Sequence, residues 1–286
     1  MAFLDLTNLW NRPVRPYGFR RRLRAGACAL TAALGLAGAF GWSQGKAAGG
    51  VPVQPAAFQL VRSGRGTLLG RLRQVDPMPC YELVYEADYR LEDLVRPTSS
   101  ARLSKGAEAY ACTGFSARLP EGQPLYGRNF DWHPNPALVL MTRPKGRYAS
   151  ISLVDNSYLG YSATRTPMEA PQDLEGAWRL PFDGMNEKGL VVGMMAVDHA
   201  EGPKGAGKPR IGELGILRVL LDRAATVRDA ITLMGEYEID LANPPIHYLL
   251  ADRSGDAAIV EFTGGKLHVF RTGKPWAVST NFLLGE

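Results

Sequence analysis

The spacing of apolar residues along this chain changes character at residue 112. Before it, Phe58 to Leu103 mixes apolar and charged residues at helical intervals, and in YELVYEADYRLEDLV the side chains of Leu83, Tyr85, Leu91 and Leu94 share much of one helical face. This predicts a helical segment over Tyr81–Val95, ended by Pro97-Thr98-Ser99-Ser100. After it the runs become strand-like. CTGFSARL, the turn Pro120-Glu121-Gly122 and QPLYGRNF predict a β-hairpin, with ALVLM, YASISLV and Gly189–Val197 as further strands.

A helical block interrupts the strands between Gly212 and Tyr237. Leu214, Leu217, Leu221 and Ala224 fall on one face, and Thr226 followed by Asp229 has the form of a capping box that starts a second helix. Strands resume as HYLLAD, AAIVEF, LHVF and WAVST, separated by Ser254-Gly255-Asp256 and Gly264-Gly265-Lys266. The order predicts an α+β layered fold with antiparallel sheets.

Charge alters this picture only at one end. The net charge of +5 over 286 residues is carried by residues 1–24, where six arginines face the single Asp5. The remainder sums to about zero, which leaves no basic face for nucleic acid. The basic stretch runs into the uncharged Ala25–Phe40 and then the small residues Ala47 and Ala48. That is the order of an export signal, or of a membrane anchor if the apolar run continues through Gly41 and Trp42. Three parts are therefore expected: residues 1–48 as signal or anchor, 49–111 as linker and helical pro-segment, and 112–286 as the strand-rich domain that carries the candidate chemistry below. The expected location is the periplasm, the exterior or the membrane surface, with the membrane met only through the N-terminal segment.

Two kinds of site are excluded. Gly202–Pro209 reads GPKGAGKP and nearly matches a phosphate-binding loop, but Pro209 has neither the hydroxyl nor the N–H that the last position needs. The four histidines at 133, 199, 247 and 268 show no ligand spacing, so no metal and no cofactor is expected.

Cys112 is the candidate nucleophile. Standing alone at the start of a strand, a cysteine is ordinarily a small buried hydrophobe. Cutting the Ala111–Cys112 bond would give it an α-amino group, whose ordinary pKa lies near 7.7 to 8.0 and which accepts the thiol proton around neutral pH. A hairpin brings Arg128 and Asp131 back beside Cys112. A guanidinium there favours thiolate, and a carboxylate holds the amine. A Cys80–Cys112 disulfide is the competing expectation, because it would silence the thiol.

CTGF, GRNFDW, DGMNEKGL and the late VSTN together resemble the N-terminal-nucleophile hydrolases of the choloylglycine hydrolase, penicillin V acylase and acyl-coenzyme A:6-aminopenicillanate acyltransferase group. The resemblance covers residues 112 to 281. It implies an αββα sandwich of two antiparallel sheets, self-cleavage before Cys112 and hydrolysis of linear carbon–nitrogen amides through a thioester. By position it implies Cys112 as nucleophile, Arg128 beside it, Asp131 on the α-amino group, and Asn281 and the backbone N–H of Ala196 as oxyanion donors. Trp132 and His133 line the substrate pocket or pack, while Asp183, Asn186 and Glu187 are structural.

Ala196 departs from the Asn or Tyr of several relatives, which turns the substrate guess away from bile salts. Relatives also continue beyond VSTN with further strands, helices and another arginine, whereas five residues follow Asn281 here. The expectation is a shortened member or a fragment, poorly stable in isolation. The partner expected is a small-molecule amide, with the oligomeric state left open. An acyltransferase using the same thioester, and a non-catalytic anchored binding protein, are the alternative readings.

Overall fold

Two sheets lie face to face, and helices cover the outer face of the larger one. The computed structural model describes residues 56–76, 80–95, 111–131, 136–162, 164–203, 207–241 and 244–285. The expected signal or anchor of residues 1–48, and Trp132 and His133, lie outside the described residues.

In chain order the elements are β1 (Gln59–Arg62), β2 (Leu68–Asp76), β3 (Cys80–Tyr85), β4 (Thr113–Arg118), β5 (Pro124–Asn129), β6 (Ala137–Thr142), β7 (Ser150–Asp155), β8 (Asp183–Asn186) and β9 (Val191–Ala196). They continue with β10 (Arg210–Gly212), helices α1 (Glu213–Arg223) and α2 (Val227–Met234), then β11 (Glu238–Asp240), β12 (Ile246–Ala251), β13 (Ala257–Thr263), β14 (Lys266–Phe270) and β15 (Trp276–Ser279). The large sheet has ten strands in the order β1-β2-β3-β6-β7-β8-β9-β12-β13-β14, and the small one three, β15-β4-β5.

The predicted hairpin is β4–β5, in register from Thr113 opposite Asn129 to Arg118 opposite Pro124. Its neighbour β15 is contributed from the far end of the chain, with Ser279 opposite Gly114. The two-residue strand period sends Met195, Leu249 and Ile259 of the large sheet toward the small one, where they pack with Cys112 and Ala277. The alternate residues, among them Val192, Met194, Tyr248, Leu250 and Val260, join the other core with the helices. The Tyr248 hydroxyl donates to the Glu213 carbonyl at 2.9 Å and fixes the start of α1.

Helix α2 starts at the predicted capping box: Asp229 N–H donates to Thr226 Oγ1 at 3.1 Å and Asp229 Oδ2 accepts from Thr226 N–H at 3.0 Å. Helix α1 is buried all round from Glu213 to Asp222, not on one face only. Among its side chains Arg218 is fully buried and pairs at 2.7 Å with Asp222 one turn later.

Two expectations are corrected. Gln59–Arg62, Leu68–Asp76 and Cys80–Tyr85 are strands, and Leu91–Leu94 makes a single 3-10 turn. The apolar positions Tyr81, Leu83 and Tyr85 fit a strand's two-residue repeat as well as a helix's, and a run this short is decided by its neighbours. Here β2 and β6 supply ladders on both sides, so β3 is central and Leu83 is wholly buried. Secondly, β3 and β6 run parallel, so the large sheet is mixed. The crossover through the β4–β5 hairpin is what allows that direction. The described helices α1 and α2 pack on one face of the large sheet and the small sheet on the other, as the expected layered α+β sandwich requires.

Candidate active site

Cys112 stands at the head of β4 and is buried, while Ala111 before it is exposed. The hairpin register runs on to this point, since Ala111 N–H donates to the Asp131 carbonyl at 3.3 Å. Asp131 therefore lies beside the Ala111–Cys112 bond because it is nineteen positions along a tight hairpin. Its carboxylate accepts from Asn129 Nδ2 at 2.8 Å.

The Cys112 N–H points elsewhere, donating to Asn281 Oδ1 at 2.6 Å. The same carboxamide donates through Nδ2 to the Ala196 carbonyl at 2.6 Å. Asn281 thus ties the head of β4 to the end of β9, and one of its two Nδ2 hydrogens has no partner among the described residues. The ladder pattern says more about Ala196. Val197 N–H donates to the Pro245 carbonyl, so Val197 bonds toward β12 and Ala196, one residue earlier, points its N–H and carbonyl the other way. Both main-chain groups of Ala196 face the side occupied by Asn281.

Arg128, opposite Gly114 on β5, reaches across to the large sheet. Its Nη2 donates to the Met194 carbonyl and Nη1 to the Asn129 carbonyl, while the buried Nε has no hydrogen-bond partner among the described residues. Gly193 makes this crossing possible, because a Cβ there would stand 3.2 Å from Arg128 Nε and 2.5 Å from the Tyr126 hydroxyl.

Asp183, in register with Gly193, is buried on this face. Burial pushes its carboxyl up to about 6, against the opposing pull of the Arg128 charge and the Leu153 backbone. Burial also raises the Tyr158 phenol, which feels the charges of Asp155, Glu213, Cys112 and Arg128.

Beside Cys112 is a cavity of about 20 Å³, lined by Phe130, Tyr158, Met194, Ala196, Pro244 and Ile246. It has room for a water-sized body and an apolar wall. A larger cleft of about 580 Å³ lies by Arg147, Tyr148, Asp222 and Tyr237 and includes none of Cys112, Arg128, Asp131 or Asn281.

Cys112 and Cys80 are both free thiols, so the competing disulfide is not formed. Burial, with Asp76 and Glu82 nearby, raises the Cys80 thiol. Asn186 is structural as expected: its Nδ2 donates to the Leu221 and Ala224 carbonyls and its Oδ1 accepts from Lys188 and Leu190 N–H. Glu187 accepts from Ala149 N–H at 3.2 Å. The fold brings Cys112, Asp131, Ala196 and Asn281 together, and Arg128 binds the Met194 carbonyl two residues before Ala196 on the same edge of β9. Sequence reasoning missed Tyr158, Met194 and Ile246, which lack any local motif, and gave Asp183 only a turn role.

A sheet-dominated α+β fold with few helices, carrying a buried cysteine at the head of an inner strand, defines the class. The chain belongs to the linear amide C-N hydrolases, choloylglycine hydrolase family, whose sequence profile matches residues 112–282. It is similar to the penicillin V acylase of Pectobacterium atrosepticum, 28% identical over 207 residues, covering 67% of this chain and 55% of that protein. Among solved structures it is similar to a variant of the conjugated bile acid hydrolase from Clostridium perfringens, with a TM-score of 0.44 and 19% identity over 60% of this chain and 53% of that one. A penicillin V acylase from Agrobacterium tumefaciens gives 0.38 and 21%, covering 56% and 49%. The chain thus spans about half the length of these relatives.

Proposed function

We propose that this chain carries a cysteine amidohydrolase site, latent until the Ala111–Cys112 bond is cut, that splits linear N-acyl amides through a thioester. The observation that carries the reading is the Asn281 carboxamide held between the Cys112 N–H and the Ala196 carbonyl. It sets a side-chain amide and an outward-facing strand N–H next to one thiol, which is what a tetrahedral oxyanion requires.

After scission the former Cys112 N–H becomes an α-amine, near neutral in pKa, that takes the thiol proton. The Asp131 backbone already borders that bond, and its carboxylate is two residues of hairpin away from the Asn129 amide that steadies it. The Arg128 charge, paired with no carboxylate among the described residues, favours the thiolate. The thiolate attacks the amide carbonyl, and the spare Nδ2 hydrogen of Asn281 and the Ala196 N–H receive the oxyanion. The α-ammonium returns its proton to the leaving amine, and water then attacks the thioester to release the acid. The apolar wall of Phe130, Tyr158, Met194 and Ile246 suits the acyl side of the substrate. The basic and then apolar run before residue 42 supports action outside the cytoplasm.

The test is intact-mass analysis of purified protein beside Cys112→Ala, followed by turnover of penicillin V, the substrate in the name of two relatives. The expected result is a fragment beginning at Cys112 in the wild type only, with amide hydrolysis tracking its appearance. An uncut wild type, or a variant cut equally, overturns the proposal.

A further inference from the structure

Asn281 follows the last strand and belongs to no ladder of its own, yet its carboxamide must be aimed. What aims it is a buried pair on the large sheet. His247 on β12 and Glu261 on β13 lie opposite one another, one step along the ladder from Tyr248 and Val260, and neither side chain is exposed. His247 Nε2 is 2.7 Å from the Thr280 carbonyl, the residue before Asn281, and 3.1 Å from the Ser279 hydroxyl. His247 Nδ1 is 3.2 Å from Glu261 Oε1. On the other side of Asn281, the N–H groups of Leu284 and Gly285 donate to the Glu261 carboxylate at 2.8 to 3.2 Å. The pair therefore grips the chain on both flanks of Asn281.

The Thr280 carbonyl can only accept, so Nε2 carries the hydrogen of that bond. Glu261 is drawn below the usual carboxylate range: burial opposes this, but the bonds from His247, Leu284 and Gly285 outweigh it. Two other titratable groups border the pair: His268 on β14 stands opposite Glu261, with Nε2 3.3 Å from the Thr263 carbonyl, and Cys112 is tied to the segment through Asn281.

We propose that His247 and Glu261 form a positioning clamp for Asn281, a buried pair that grips Thr280 on one flank and Leu284 and Gly285 on the other and so holds the oxyanion donor in place. This rests on the reading of Asn281 as an oxyanion donor. His247 and Glu261 touch no substrate; they act through the segment that carries Asn281.

The experiment uses the full chain with ¹⁵N-labelled asparagine, and penicillin V as the probe amide. His247→Gln is expected to lower kcat on the order of 10²-fold with little change in KM, as a misplaced donor does. Glu261→Gln, which keeps shape and can still accept from Leu284, is expected to lower kcat less. In both variants the Asn281 Nδ2 hydrogens should exchange faster with solvent, a readout independent of turnover. Variants with wild-type exchange and wild-type kcat overturn the clamp. Asn281→Ala measured alongside separates the two ideas. Wild-type turnover in that variant sinks the site reading, whereas loss there with an unaffected His247→Gln sinks only the clamp.

Discussion

Cys112 and Asn281, 169 positions apart, meet through a 2.6 Å hydrogen bond from the Cys112 N–H to Asn281 Oδ1. The amide that binds the uncut backbone is the one whose other end can serve an oxyanion, so one side chain is read as bearing on both the precursor and the enzyme. Asn281→Ala is therefore expected to lower kcat by roughly 10² to 10³, the usual effect of deleting one oxyanion donor. Steady-state rates on the processed protein check this, with thermal melting to confirm folding; an unchanged kcat removes Asn281 from the mechanism.

Scission before Cys112 should not release the preceding segment. Strand β3 shares six register pairs with β6, and Leu69, Leu72 and Leu83 sit in the main core. Separation would expose all three to water, at about 1.5 to 3 kcal/mol for each buried apolar side chain. The two pieces should elute together on gel filtration in native buffer and part only in denaturant. Separate elution in native buffer would show that the segment is a removable leader.

Asp183 should make stability depend on pH in the acid range. Its carboxyl is raised from 3.8 to about 6 in the folded chain. The folded state thus binds the proton more tightly, so this stabilising effect is complete below about pH 4 and is lost as pH rises through 6. The full span is about 3 kcal/mol. Asp183→Asn should flatten that part of the curve in denaturant titrations between pH 4 and 7, and an unaltered slope would contradict the assignment.

Two glycines offer a contrast. Gly193→Ala places a methyl group 2.5 Å from the buried Tyr126 hydroxyl and 3.2 Å from Arg128 Nε, where β9 and β5 meet. A loss of about 1 to 3 kcal/mol, as for other overpacked cores, is expected together with reduced activity. Gly127→Ala meets first the Phe115 ring on the exposed face of the small sheet, and the ring can swing away. Its effect should stay within about 0.5 kcal/mol. Equal effects in chemical unfolding would refute the packing argument.

Much of this was legible in the chain itself. The β4–β5 hairpin, the capping box at Thr226 and Asp229, and the strands from Ile246 to Ser279 were readable because turns, caps and short periodicities are written within a few residues of where they act. The register that sets Arg128 opposite Gly114 and Asp131 beside Ala111 followed from the same local logic, since a hairpin converts spacing into proximity. Family resemblance, rather than any local pattern, pointed to Asn281. The failure over Tyr81–Val95 has the complementary cause: Leu83 and Tyr85 suit either repeat, and the ladders from β2 and β6 decided between them.

Only the tertiary structure decided the rest. It chose the parallel direction of β3 on β6, the face on which Asp183 loses its water, and the pairing of His247 with Glu261 around the residues flanking Asn281. These depend on which distant strands share a ladder and which of two strand faces meets the small sheet. Such choices are made by the burial of all the strands at once, and no window of sequence contains them.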